Sequence, residues 1–547
     1  MPGTQTIHIR YWLQKIDWKL FIFLLLFLNI KLLIKVIALL AIYLLRPDFR
    51  FGFRFNKNSR LPLFYILMIG IALINWVVTG NFFDVSYNFV ILTGIAFWLL
   101  CILAIHQIKL SVDTTEIPII HNTLLLFFIS NAIFSFLNLG SIIVETGAIN
   151  PFIYQGLHQK YFIGTGDAIR GITFDTSTTN AIINAFGIIY SLKRSKFLLT
   201  LICMSAMLLT GSNFSTIVLL AAILFLFIFQ STPGQKSIII VCLFMLMIFL
   251  VRISPQNGRY ITGYFQKILP IETSVTAPVK AKLSLREKPE SLLSKEEKKQ
   301  KIAVLYLDSL YTARWINDKK DTSATKLQVE SPLIKPFIPK PDIHTELYQR
   351  KKDTTLLQKR LLEFAGKKII SLDTGFQAVQ RQKKTGKLVA FQQTINFLHQ
   401  HPAKLLTGTG MGNFSSKLAI RATGLGVAGG YPAKFIYIND DFKNNHLTLY
   451  LDYFSKDIEL HSLVNTPNSV YDQLLAEYGL AGFFSFVFLY LGFFIKHLRR
   501  LTYGVALLII LIGVCGVEYW FEQLSIIILF ELMMFLNVKE TKKVQAK

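Results

Sequence analysis

Five cationic side chains stand where chemistry on an anion is conceivable: Arg170, Arg252, Arg259, Lys387 and Arg421. A guanidinium presents a planar fork that takes phosphate oxygens two at a time and stays charged at any relevant pH. Arginines therefore suit a site that binds a diphosphate and stabilises negative charge as it builds up. Catalysis there would consist mainly of electrostatic stabilisation and the positioning of an attacking hydroxyl. Each cation also has a plainer reading. Arg170, in Gly166-Asp167-Ala168-Ile169-Arg170-Gly171, and Arg252 can be charges flanking apolar segments, where long side chains snorkel toward polar surroundings. Arg259 lies further out than Arg252, beyond Pro255, and is the better candidate of those two. Lys387 follows Arg381, Lys383 and Lys384 in a charge run that reads equally well as a solvated face.

Other features add to this set. Gly408, Gly410 and Gly412, in Leu406-Thr407-Gly408-Thr409-Gly410-Met411-Gly412-Asn413-Phe414, can cradle an anion through backbone amides or simply turn the chain before a packed loop. No lysine and serine follow in the P-loop arrangement, so this is not a nucleotide motif. Glu477, eight residues after Ser469 and near an apolar run, either caps a helix or pairs with a membrane-proximal arginine. An acid at that depth is a functional candidate by default. His446 and His461 are the nearest histidines able to act as a base. No His, Cys, Asp and Glu cluster has ligand spacing, so no metal is expected. Cys101, Cys203, Cys242 and Cys515 are scattered in apolar runs and read as small hydrophobes, neither ligands nor a disulfide framework.

The elements that must position these groups follow from solvation. The chain has 547 residues, 52% hydrophobic and 17% charged, with a mean hydropathy of +0.45. Soluble domains carry about 25% charged residues. Here the apolar residues form continuous runs such as Leu124 to Phe136 and Ile238 to Val251, too long for a water-soluble core and without the alternation of barrel strands. The reading is an all-α integral membrane protein with about twelve transmembrane helices, near 12–29, 31–45, 62–79, 88–106, 120–143, 176–192, 197–210, 214–230, 237–252, 479–496, 502–516 and 520–537. Lys31 and Lys35 interrupt the stretch from Phe21 to Leu45, which is one long helix or a tight pair.

Basic loops stay on the cytoplasmic side. Arg46 to Arg60, Lys193 to Lys196, Lys496 to Arg500 and the tail from Lys539 fall on one side if the helices are counted as above, with both termini cytoplasmic. Residues 254–478 then form one large, partly helical extracytoplasmic loop between helices nine and ten, separating N-terminal helices (1–253) from C-terminal helices and tail (479–547). Between 254 and 460 there are 33 Lys and Arg against 19 Asp and Glu, an excess of +14, so the loop itself is cationic. Helical periodicity runs from about 354 to 399, and Ala281 to Gln300 and Thr322 to Asp342 read as surface excursions.

Motif order adds a resemblance. His401, Pro402, Gly408, Gly410, Gly412, Asn413 and Phe414, then Asn468, Glu477, Gly479 and Gly482, resemble the turn and helix entry that bound the external loop in the bacterial O-antigen ligase and polymerase family. Arg170-Gly171 with Asn180 is similar to an earlier external motif of that family, and Lys387 matches a basic position. The similarity spans about 160 to 500. Two positions depart: Pro467 stands where the family has a histidine often given a catalytic role, and Asn213 where it has an arginine.

The resemblance implies a metal-independent membrane glycosyltransferase in the bacterial inner membrane, with the large loop periplasmic and no cofactor. Its donor would be an undecaprenyl-pyrophosphate-linked oligosaccharide, its product a polymerised surface polysaccharide or glycan ligated to lipid A-core. Membrane lipid and a chain-length regulator protein are the implied partners, and nucleic acid is not. The expected catalytic residues are Arg170, Arg259 and His461; the expected substrate-binding residues are Asn468, Lys387, Arg421, Gly408, Gly410, Gly412, Glu477 and Asn180. A lipid-linked oligosaccharide transporter is the rival reading. Nine helices, a large loop and three more fit the paired halves of transporters poorly.

Overall fold

The computed structural model describes residues 15–55, 59–78, 81–153, 169–255, 257, 385–424, 431–453 and 463–545. All of them belong to one compact unit. Among the described residues every regular element is a helix, as expected where few backbone groups meet water and each must be satisfied within its own segment.

Helices occur at each of the twelve expected places. Four are long and apolar enough to cross a membrane: Val85–Thr114, Ile117–Thr146, Pro233–Ile253 and Val470–Arg500. Shorter apolar helices are Trp18–Phe27, Leu32–Leu45, Phe64–Val78, Phe197–Leu209, Asn213–Phe229 and Gly504–Val514. Local chemistry sets many of the ends. Asp84 caps Val85–Thr114 by accepting from the amides of Ser86 and Tyr87, and Thr232 with Gln235 forms a capping box at Pro233.

The stretch from Phe21 to Leu45 is a tight pair. Trp18–Phe27 ends at Leu28, and Lys35, one turn into the next helix, returns its Nζ to the Phe27 carbonyl at 2.8 Å. A cation at a helix C-terminus offsets both the orphan carbonyls and the dipole. Asp17 closes the pair at its other end: it caps the first helix at Leu20 N and lies 3.7 Å from Arg46, just past the second.

The basic segments meet one another. Arg46 donates to Ser111 at 2.9 Å, Arg60 pairs with Asp113 at 3.1 Å, Arg194 with Glu540 at 3.2 Å, and Lys539 reaches the carbonyls of Val112 and Thr115. Leu32–Leu45, Val85–Thr114, Ser177–Lys193 and Ser525–Gln545 all bring one end to this cluster.

Ser525–Gln545 is the central helix; Ile526 to Leu536 is wholly enclosed and packs on Val85–Thr114 and Ser177–Lys193. It carries an acid that hydropathy passed over, Glu531, which accepts from the hydroxyl of Tyr65. Outward faces of the peripheral helices are apolar, with Leu44 84% exposed, Val144 83% and Leu198 73%. The four cysteines are buried and unpaired.

The described part of the long loop packs on these helices. Gly386–Gln400 covers the region expected to be helical near 399; the portion of that expectation before 385 and both surface excursions lie outside the described residues. Asn75 donates to the Thr407 carbonyl at 2.6 Å, and Phe435 stacks on Phe89 at 4.4 Å. The helix expected from 479 begins at Val470, and Gly479 (φ 64, ψ −164) kinks it where the span was expected to start.

Candidate functional site

A cavity of about 440 Å³ opens at the ends of the helices opposite the basic cluster. Lys35 reaches it from the start of Leu32–Leu45, and Asp175 and Thr176 from the cap of Ser177–Lys193. Lys417 and Arg421 project from Lys417–Ala422, a short helix capped by Ser416 Oγ on Ala419 N at 2.9 Å. Residues four apart share a helix face, so this pair enters the cavity together. Tyr450, Asn468, Glu518, Tyr519, Glu522 and Gln523 complete the polar wall. Ile30 and Leu32, 48% and 42% exposed, form an apolar lip.

The cavity brings together three basic side chains, Lys35, Lys417 and Arg421, and three acidic ones, Asp175, Glu518 and Glu522, where the sequence puts the weight on cations. Two of the acids are engaged: Asn468 Nδ2 donates to Glu518 at 2.8 Å, and Gln473 Nε2 to Glu522 at 2.6 Å. Asn468 Oδ1 and Gln523 Oε1 are enclosed acceptors without a hydrogen-bond partner, on residues that border the cavity. Leu524, with φ 72, stores backbone strain directly behind Gln523 at the turn between Trp520–Gln523 and Ser525–Gln545.

Of the expected site residues, Arg421 and Asn468 line this cavity. Lys387 stands behind its wall: Nζ donates to the Asn468 carbonyl and lies 3.4 Å from both Thr466 Oγ1 and the Val517 carbonyl. It is an interior clamp on the segment carrying Asn468, and the solvated-face reading does not hold. Loss of surrounding water pushes its ammonium down to about 7, against the pull of Glu518 and Asp472. With the folded value lowered, the unfolded chain holds the extra proton between about 7 and the ordinary 10.5, so stability rises with pH through that window and is flat below it. Thermal unfolding of the detergent-solubilised protein should show this rise, and Lys387→Met should remove it.

Arg170 and Asn180 come together, but at a turn and not on the cavity wall. Asn180 is fully buried; its amide donates to Ser135 Oγ and the Ile169 carbonyl, each at 3.0 Å, and its oxygen accepts from Asn131 at 2.9 Å. It braces the Arg170-Gly171 turn and does not line the cavity. Gly171 (φ +60) is required there, because a Cβ would sit 2.5 Å from the carboxamide oxygens of both asparagines. Arg259 and His461 lie outside the described residues.

The glycine turn does cradle an acidic group, and that group is the Glu477 carboxyl. Its carboxylate accepts from the amides of Gly412 at 2.8 Å, Phe414 at 3.1 Å and Ser415 at 3.0 Å. Gly408, Gly410 and Gly412 all have positive φ. A side chain at Gly408 would meet the Glu477 backbone at 2.4 Å. Glu477 and the three glycines are therefore a structural clasp; none of them lines the cavity.

Beside the clasp lies an arrangement that sequence reasoning only half found. His446 Nε2 is 2.7 Å from Asp472 Oδ2, and Ser415 Oγ is also 2.7 Å from that oxygen; all three residues are buried. His446 had proximity as its signal, whereas Asp472 and Ser415 had none. Among the described residues no group of His, Cys, Asp and Glu is arranged to hold a metal ion.

No protein-family model, curated protein or solved structure matches the chain.

Proposed function

We propose that the protein is an integral membrane glycosyltransferase that takes its glycan from an undecaprenyl-pyrophosphate-linked donor, in the manner implied by the O-antigen polymerase and ligase resemblance. The observation that carries the reading is the cavity itself: Lys35, Lys417 and Arg421 beside Asn468, Gln523 and three carboxylates, behind an apolar lip. A glycosyl diphosphate on a polyprenyl chain has these three parts. Its phosphates match the cations, its sugar hydroxyls match the acids on the cavity wall, and its hydrocarbon matches Ile30 and Leu32. A volume of about 440 Å³ accommodates a diphosphate and one or two sugars.

The twelve-helix, cytoplasmic-termini layout belongs to this proposal. It is supported by the gathering of the basic segments at one end, the exposed apolar faces between, and a cavity at the other end, which is then periplasmic. Polymerisation is preferred to ligation because Pro467 stands where the ligase histidine would be. Binding of undecaprenyl pyrophosphate to the purified protein in lipid nanodiscs tests the reading. Saturable binding is expected, weakened at least tenfold by Lys417→Ala. Equal binding of undecaprenol without phosphate would show that the cations take no part and overturn it.

A further inference from the structure

The His446–Asp472–Ser415 cluster does not end at Ser415. Tyr519 OH lies 3.4 Å from Ser415 Oγ, and Tyr450 OH lies 2.6 Å from Tyr519 OH. Both tyrosines line the cavity, while Ser415, Asp472 and His446 stand behind it. Five polar side chains thus form one continuous hydrogen-bonded file, flanked by the Phe414 ring tilted against His446 at 4.8 Å.

The direction of every bond in the file is fixed by its inner end. A carboxylate only accepts, so His446 Nε2 and Ser415 Oγ both donate to Asp472 Oδ2. Ser415 has then spent its single proton and accepts from Tyr519, and Tyr519 in turn accepts from Tyr450. The Tyr450 oxygen is left with a free lone pair, on a residue that lines the cavity. The file is accordingly polarised to take a proton out of the cavity and deliver it to a buried acid.

We infer that Tyr450, Tyr519, Ser415 and the Asp472–His446 pair are the proton relay that serves as general base for glycosyl transfer, supplying the function that Pro467 cannot. This rests on the glycosyltransferase reading. In the step, the acceptor hydroxyl oxygen bonds to the anomeric carbon of the donor as the bond from that carbon to the diphosphate oxygen breaks. The bonding pair leaves on the diphosphate beside Lys35, Lys417 and Arg421. The acceptor's proton passes to Tyr450 as each hydroxyl hands its own to the next, and Asp472 ends protonated while still accepting from His446 Nε2. Water entering the emptied cavity takes the proton back along the file.

The relay makes Tyr450 a catalytic residue and the remaining four positioning and transfer groups. Tyr519→Phe and Ser415→Ala each cut the file at a different link while keeping ring or backbone in place. Both are to be expressed in cells lacking the native gene and examined by gel profile of surface polysaccharide. Transfer rates in membrane vesicles would be taken across the neutral pH range in water and deuterium oxide. Undecaprenyl pyrophosphate binding in nanodiscs would be measured in parallel. Each variant is expected to lose about 100-fold in rate, to lose the solvent isotope effect of the native protein, and to bind the lipid diphosphate as the native protein does. Variants that lose binding together with rate would make the hydroxyls merely structural and overturn the relay. Wild-type ladders in both, with Arg421→Ala inactive, would overturn the relay and leave the glycosyltransferase reading standing. Wild-type ladders in all three would remove that reading as well.

Discussion

Arg421→Ala should lower glycan transfer by about 100-fold or more while the protein still inserts and accumulates. Arg421 lies on the same helical face as Lys417 and shares the cavity with Lys35, so three cations from two distant parts of the chain face one space. On the proposed reading, charge building on a departing diphosphate would be stabilised by groups already oriented toward it, with little reorganisation to make at the moment of reaction. The guanidinium contributes more than charge. Its fork holds two oxygens at once, which a lysine cannot do. Arg421→Lys should therefore recover part of the rate, and a charge removed at Lys19, on the opposite side of the protein, should change nothing. The polysaccharide ladder on a gel reads the result directly. A normal ladder in Arg421→Ala, with the variant correctly inserted, would show that the cavity does not act on a diphosphate.

Much of the fold is legible in the chain because helices in an apolar surrounding are local objects. A run of apolar residues, a capping side chain and a basic flank all lie within about 20 residues of one another. The break at Leu28 to Lys31 was marked by Lys31 and Lys35, and the gathering of Arg46, Arg60, Arg194 and Lys539 follows from their spacing along the helices. Boundaries are less legible. Val470–Ser485 starts nine residues before the apolar run because Ser469 caps it and a polar first turn is buried against the loop.

The site is legible only where one residue carries its own signal. Arg421 does, as an arginine whose fork suits phosphate, and so does Asn468, by its place before the helix entry. Lys35 looks like an interruption in a helix, yet it caps Phe27 and lines the cavity, which nothing within its own segment could announce. Tyr450 and Tyr519 are 69 residues apart and resemble any other tyrosines until the fold puts their hydroxyls together. Asn180 and Glu477 show the opposite case. Both stand at positions of the motif resemblance, but each one's partners are other parts of the protein. A motif marks a residue that the fold needs, and only the coordinates separate a group that holds a ligand from one that holds the backbone around it.

Glu477→Ala follows from that distinction, and its effect should fall on stability, not on binding. The carboxylate is completely enclosed and accepts three backbone amides from the turn at Gly412 to Ser415. Removing it leaves three buried donors facing a void, and each orphaned group costs roughly 1–3 kcal/mol. The expected loss is about 3–5 kcal/mol, at the severe end for a single substitution. Glu477→Gln keeps the volume and one acceptor oxygen but turns an NH2 group toward the same amides, so it should lie between alanine and the native protein. Thermal unfolding of the solubilised protein, followed by tryptophan fluorescence, gives the order native, Gln, Ala. Undecaprenyl pyrophosphate binding by whatever fraction of Glu477→Gln remains folded should match the native value, because Glu477 does not border the cavity. A Gln variant of native stability that fails to bind would reverse the assignment and return Glu477 to the ligand.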